Sequence, residues 1–184
     1  MGSEMCIRDS LFIYNNPGKT GFDVTPRILD EIARENPSLV GIKDSSGRLD
    51  RLIELTERFI NRLYVAIASD SFILDAFLYG ADAHICGLCN AIPEIGTMIY
   101  RSIANRDYDR AVKYQKVMNR LRMLTREMGY EGLSVVKALL SIRGVDVGNP
   151  MPPNRVLERE DREVLKNVLE NICSESGIQL KIKV

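Results

Sequence analysis

Four apolar stretches, each closed by a polar turn and followed by apolar residues at helical spacing, constrain this chain more than any other feature. Leu11-Phe-Ile-Tyr14 is closed by Asn15-Asn-Pro-Gly18, and a helix follows with Thr25 as N-cap and Pro26 at its first position. Ile28, Leu29, Ile32 and Ala33 give that helix one apolar face, and Asn36-Pro37 ends it. The second unit runs from a strand at Leu39 to Ile42, through the turn Asp44 to Gly47, into a helix carrying Leu49, Leu52, Ile53, Thr56, Phe59 and Ile60. In the third, Tyr64 to Ala68 is the strand, Ser69-Asp70 the turn and cap, and Phe72 to Tyr79 a helix stopped by Gly80. The fourth strand covers Ala83 to Leu88, with a turn at Asn90 and Pro93 and a helix from Glu94 to Asn105.

Strand ends near residues 14, 43, 68 and 88 recur at the length of a βα unit. Near-continuous apolar strands in successive βα units predict an α/β fold with a parallel sheet covered by helices. An open doubly wound sheet and a portion of an eight-stranded barrel both satisfy that pattern. After Asp107 the sequence turns helical, over Tyr108 to Met128, Gly132 to Ile142 and Arg159 to Cys173, with a proline-rich linker from Gly144 to Asn154. The tail, 174–184, alternates like a strand through Ile178, Leu180, Ile182 and Val184. Met1 to Ser10 has no apolar period and reads as a non-native leader, outside the fold.

Charge and cysteine usage narrow the function. Twenty-five basic and 25 acidic residues cancel, and no basic stripe with interleaved aromatics occurs, which argues against a nucleic-acid partner. Apolar runs such as Ala66 to Ala68 and Ile85 to Leu88 are far too short to span a bilayer, so no membrane association is expected. Four cysteines without regular spacing suit a reducing compartment, and the chain reads as soluble and cytoplasmic.

Several motifs fail on their geometry. Asn15-Asn-Pro-Gly18-Lys19-Thr20 ends like a phosphate-binding loop, but Ile13 stands where its first glycine belongs and Pro17 removes an N–H from the anion cradle. Cys86-Gly-Leu-Cys89 has metal or redox spacing without a second pair, and no metal site is expected. His84 reads as a packed strand residue, and Ser45-Ser46 as caps of the next helix.

Lys43 is different. It ends the run Leu-Val-Gly-Ile-Lys43, where apolar neighbours disfavour the charged amine and make the nucleophilic free base available for carbonyl chemistry. The alternative is a strand-end lysine whose stem snorkels to solvent. Phe12 and Tyr14 share one face of their strand, and Gly41 and Lys43 share a face of the next. If those faces coincide, the Tyr14 phenol lies beside the amine at the C-terminal edge of the sheet, placed to shuttle protons during imine formation. Gly41, lacking a side chain, is expected to leave room for the lysine stem.

Tyr14-Asn-Asn-Pro17-Gly-Lys-Thr20-Gly21, Val40-Gly-Ile-Lys43-Asp-Ser-Ser-Gly47 and Gly80-Ala-Asp-Ala-His-Ile-Cys-Gly-Leu-Cys-Asn90, with Val136-Lys137-Ala138-Leu139 and the Gly148 to Pro153 segment, together resemble the dihydrodipicolinate synthase / N-acetylneuraminate lyase family. The resemblance spans Leu11 to Asp161. It implies a partial (β/α)₈ barrel, with 11–106 as its C-terminal half and 107–173 as a helical region, and a homo-oligomer for the full-length protein. It implies class I lyase or aldolase chemistry on pyruvate or another 2-oxo acid, without a cofactor beyond the imine on Lys43. Tyr14 is then the proton shuttle, and the Ile85 carbonyl faces the pyruvate unit. Where the synthase subfamily has an arginine, this chain has Lys19, which cannot grip a carboxylate bidentately. Asp44 stands where a glutamate is usual. Both favour aldol cleavage of a 2-keto-3-deoxy sugar acid over 4-hydroxy-tetrahydrodipicolinate synthesis. Eight units need about 250 residues, so an incomplete chain with little turnover is expected. Outside this family, a non-catalytic flavodoxin-like module and a regulatory fragment that assembles with full-length relatives remain as alternatives.

Overall fold

The computed structural model describes residues 10–182, so the expected leader lies, apart from Ser10, outside the described residues. The chain forms two compact units, one ending at Ile85 and the other beginning at Cys86.

The first unit is an α/β layer. Its elements are β1 (Leu11–Asn15), a short α1 (Pro17–Thr20), α2 (Pro26–Glu35), β2 (Leu39–Asp44), α3 (Leu49–Phe59), β3 (Tyr64–Ile67), a single 3₁₀ turn (Asp70–Phe72), α4 (Ile73–Leu78) and β4 (Ala83–His84). The strands form a four-stranded sheet in the order β1-β2-β3-β4, every pair parallel. Parallel neighbours need a crossover, and each crossover here is the predicted helix. Thr25 caps α2 by accepting from the Ile28 N–H at 3.3 Å, with Pro26 at the first helical position.

The sheet face bearing Ile13, Ile42, Val65 and Ile67 meets Leu29 of α2 and Leu52, Leu55 and Phe59 of α3 in one apolar cluster. Leu29, Ile42, Leu52, Leu55 and Phe59 are wholly shielded from solvent. Each such side chain contributes roughly 1.5–3 kcal/mol by burial, which outweighs the weak propensity of any one helix.

Two local expectations are corrected. The fourth strand stops at His84 because β3 ends at Ile67, so the ladder has one more bond to give, from the Ile85 N–H to the Ile67 carbonyl at 2.8 Å. Beyond Gly87 the chain turns into helix. The α3 helix is not capped by Ser45 or Ser46; its N-cap is Arg48, and Ser46 instead donates from Oγ to Asp44 Oδ1 at 2.5 Å.

The second unit is helical: α5 (Leu88–Ala91), α6 (Pro93–Ala104), α7 (Tyr108–Glu127), α8 (Gly132–Ile142) and α9 (Arg159–Ser176). Ile95 and Ile99 of α6 and Met118 and Leu121 of α7 are fully buried, and the two helices pack together. The proline-rich linker is held by Lys137, whose Nζ donates to the Val147 and Asn149 carbonyls at 3.0 Å each. The expected terminal strand is absent among the described residues. Gly177, at a left-handed φ of 74°, closes α9, and the Ile178 N–H donates to Ser176 Oγ instead of a ladder carbonyl. No helix among the described residues is long and apolar enough to cross a membrane.

Candidate active site

Strand register builds the site. Tyr14 pairs with Lys43, Lys43 with Ala66, and Ala66 with Ala83, giving one rung across all four strands. Side chains on a rung of parallel strands share a face. The faces of Tyr14 and Lys43 therefore coincide, and the Lys43 amine lies over the Tyr14 ring, 4.1 Å from its centroid. A cation over a phenol face at that distance is held by the ring quadrupole. Lys43 is half-buried, whereas Tyr14 is more than half exposed.

The phenol is tuned. Its pKa is lowered from the ordinary tyrosine value, first by the Ser45 hydroxyl, then by Asn16 and the Lys43 charge, with partial burial opposing. Asn16 donates from Nδ2 to the phenol oxygen at 2.9 Å. Ser45 Oγ is buried and completes no hydrogen bond of standard geometry, so it acts on the phenol as an imperfectly aligned neighbour. Neutral donors and a nearby cation both stabilise phenolate.

The space around Gly41 is filled otherwise than expected. Gly41 pairs with Phe12, and a side chain there would collide with the Phe12 ring and meet the Tyr64 carbonyl at 2.6 Å. The glycine admits the aromatic ring of its neighbour strand; room for the lysine stem is not what it supplies.

The remaining predicted residues lie around this rung without all converging. The Ile85 N–H is ladder-bonded to Ile67, which carries Ile85 to the C-terminal edge of the sheet, the edge where β2 ends in Lys43-Asp44. Lys19 is exposed in the last turn of α1, and among the described residues no hydrogen bond or ion pair joins it to Tyr14 or Lys43. His84 is half-buried and donates from Nε2 to the Ser69 carbonyl at 3.1 Å.

The rung after Tyr14 and Lys43 holds what sequence reading missed. Asn15 and Asp44 pair there, and their side chains point to the opposite, helix-covered face. Asn15 Nδ2 donates to Asp44 Oδ2 at 2.8 Å and to Asp23 Oδ1 at 2.9 Å, while Asn15 Oδ1 accepts from the Val24 N–H at 2.9 Å. Arg51 of α3 grips both oxygens of Asp23, at 2.9 and 2.8 Å. That grip, with help from Asn15, holds the Asp23 carboxyl at about 2. A usable signal existed: Arg51 adjoins the apolar stripe Leu52, Leu55, Phe59, where a buried charge requires a partner.

Residues 8–172 match the Dihydrodipicolinate synthetase family. A DapA-like lyase of Halobacterium salinarum is 28% identical over 162 residues, which are 88% of this chain and 52% of that protein. A 4-hydroxy-tetrahydrodipicolinate synthase of Prochlorococcus marinus subsp. pastoris is 29% identical over 172 residues, covering 88% and 53%. Among solved structures, a variant of the 2-keto-3-deoxygluconate aldolase of Sulfolobus solfataricus superimposes with a TM-score of 0.80 at 25% identity, over 90% of this chain and 55% of that one. The chain spans about half the length of the curated relatives it matches. It belongs to the Dihydrodipicolinate synthetase family.

Proposed function

We propose that this chain carries the imine-forming part of a pyruvate-dependent class I aldolase or lyase acting on 2-oxo acids. The supporting observation is the shared rung of Tyr14 and Lys43, with the amine 4.1 Å from the ring centroid at the C-terminal edge of a parallel sheet. The four βα units then represent the last four of a (β/α)₈ barrel, within a cytoplasmic homo-oligomer.

In this reading the free amine of Lys43 attacks the C2 carbonyl carbon of the 2-oxo acid. The carbonyl oxygen takes a proton and becomes the hydroxyl of a carbinolamine. Tyr14 relays the proton that lets this hydroxyl leave as water, and the nitrogen lone pair forms the C=N bond. Loss of a C3 proton from the resulting iminium gives an enamine, whose electrons attack an aldehyde carbon; cleavage runs the same steps backwards. The Ile85 carbonyl faces the pyruvate unit. Lys19, a point charge at the α1 end, attracts the carboxylate or hydroxyls of the second substrate without bidentate selection.

Lys19 favours cleavage of a 2-keto-3-deoxy sugar acid. The synthase activity named for several relatives is the second reading, and the aldehyde accepted distinguishes the two. The primary test is incubation with pyruvate and borohydride followed by peptide mapping. The expected result is slow labelling confined to Lys43 with little aldol turnover. Label spread over exposed lysines, with none preferred at Lys43, overturns the proposal.

A further inference from the structure

We propose that Asn15, Asp23 and Arg51 are positioning residues for the Tyr14 and Lys43 pair, acting through the sheet from its helix-covered face. This inference rests on the imine-forming role of Lys43. Tyr14 and Lys43 come from different strands, so their approach depends on the register of β1 against β2 at the last rungs, where each strand has almost no further ladder to hold it.

The polar group behind the pair supplies that hold. Asn15 follows Tyr14 and Asp44 follows Lys43, and both are nearly inaccessible, at 1% and 3% exposure. The Asn15 amide is fully satisfied: both Nδ2 hydrogens reach carboxylates and Oδ1 takes the Val24 N–H. A one-residue slip of β1 would turn this amide to the other face and take from Asp44 and Asp23 the donor they share, leaving the buried Asp44 Oδ2 without that bond.

Arg51 fixes the far end. Its side chain is 6% exposed and its guanidinium binds Asp23 as a fork, tying the loop after α1 to α3. Asn15 also reaches the phenol's neighbour directly, since the Ser45 N–H donates to the Asn15 carbonyl at 2.8 Å. Ser45 is the group that lowers the phenol most. The chain from Arg51 through Asp23 and Asn15 thus sets both the separation of phenol and amine and the environment of the phenol. None of these three side chains touches the amine among the described contacts, so their role is positional.

The test measures two quantities in the whole chain. One is the rate constant for borohydride-trapped pyruvate labelling at Lys43; the other is the titration midpoint of the Tyr14 phenol, read from its ring carbon by NMR. The variants are Asn15→Leu, Asp23→Asn, Arg51→Met and the milder Arg51→Lys. Asp30→Asn is the control, because Asp30 is a carboxylate more buried than Asp23, paired with Arg34 and Arg62 away from the C-terminal ends of the strands.

Expected are a fall in labelling of about tenfold to a hundredfold and a rise of the Tyr14 midpoint toward its ordinary value. Arg51→Lys should recover part of both, and Asp30→Asn should move neither, even where its melting temperature falls as far. Unchanged labelling and midpoint in folded Asp23→Asn and Arg51→Lys overturn the proposal, as does an equal response in Asp30→Asn. If the unaltered chain shows no labelling at Lys43, the imine reading fails. The Tyr14 midpoint then decides the positioning role alone: a shift confined to the network variants supports it, and no shift refutes it.

Discussion

The Phe12 ring occupies the space that a Gly41 side chain would need, directly below the rung that carries Tyr14 and Lys43. A methyl group there meets that ring and also the Tyr64 carbonyl at 2.6 Å, and the backbone carbonyl is the less able to yield. Gly41→Ala should cost about 1–3 kcal/mol, as overpacking does, measured as a drop in urea midpoint at constant slope. Adding Phe12→Ala should recover only part of the loss, because the carbonyl collision persists. Full recovery would mean that the ring alone is the obstacle.

Tyr14→Phe separates the hydroxyl from the ring. The ring stays under the Lys43 amine, and the 55% exposed side chain has little packing to lose, so the melting temperature should hold. Imine formation with pyruvate should slow by about 10²- to 10⁴-fold, the usual worth of a positioned acid-base group. Trapping at unaltered speed would assign the proton relay to another group.

The sequence made the scaffold readable because periodicity reports burial, and here burial builds the elements. Leu29, Leu52, Leu55 and Phe59 mark their helix faces, and alternation places Tyr14 with Phe12 and Lys43 with Gly41 on one face of each strand, while the register that makes those two faces coincide is a property of the pairing. Long-range polar pairing left a weaker trace, the charge of Arg51 beside an apolar stripe, and that does not name its partners. Asn15 and Asp23 lie 36 and 28 positions from Arg51 and resemble ordinary turn residues until register brings them together. Gly41 misled for a related reason: an absent side chain does not say which neighbour takes its place. The end of the fourth strand at His84 depended on where β3 stops, which its own residues do not encode.

Arg143 joins the end of α8 to the end of α5 and the start of α6 by donating to the Ala91 carbonyl and to both oxygens of Glu94, at 3.1 and 2.5 Å for the latter. Its side chain is 15% exposed and its Nε hydrogen is unpaired among the described residues. Arg143→Met keeps the aliphatic stem but strands the Ala91 carbonyl and a partly buried carboxylate. A loss of about 1–3 kcal/mol in the helical unit is expected from unfolding curves. Glu94→Gln, which keeps an acceptor for the guanidinium, should cost less.

Asp23 gives the chain an acid-sensitive joint. Its carboxyl is held at about 2 against an ordinary 3.8, chiefly by hydrogen bonds from Arg51. The folded state therefore binds the proton less readily than the unfolded one, and the stabilisation is fully present well above pH 3.8. It fades as pH falls from there through about 2, where the folded carboxyl is itself protonated. The side chain is 34% exposed, so solvent screening reduces the contribution to roughly 1 kcal/mol. Urea midpoints should be level in Asp23's share from pH 7 down to about 5 and decline below about 4. Asp23→Asn should remove that part of the decline while lowering stability at pH 7, and Arg51→Met should remove most of it, since the Arg51 ion pair is the largest cause of the depression and Asn15 remains. A variant curve parallel to the unaltered one down to pH 2 would show that the acid response originates in other carboxylates.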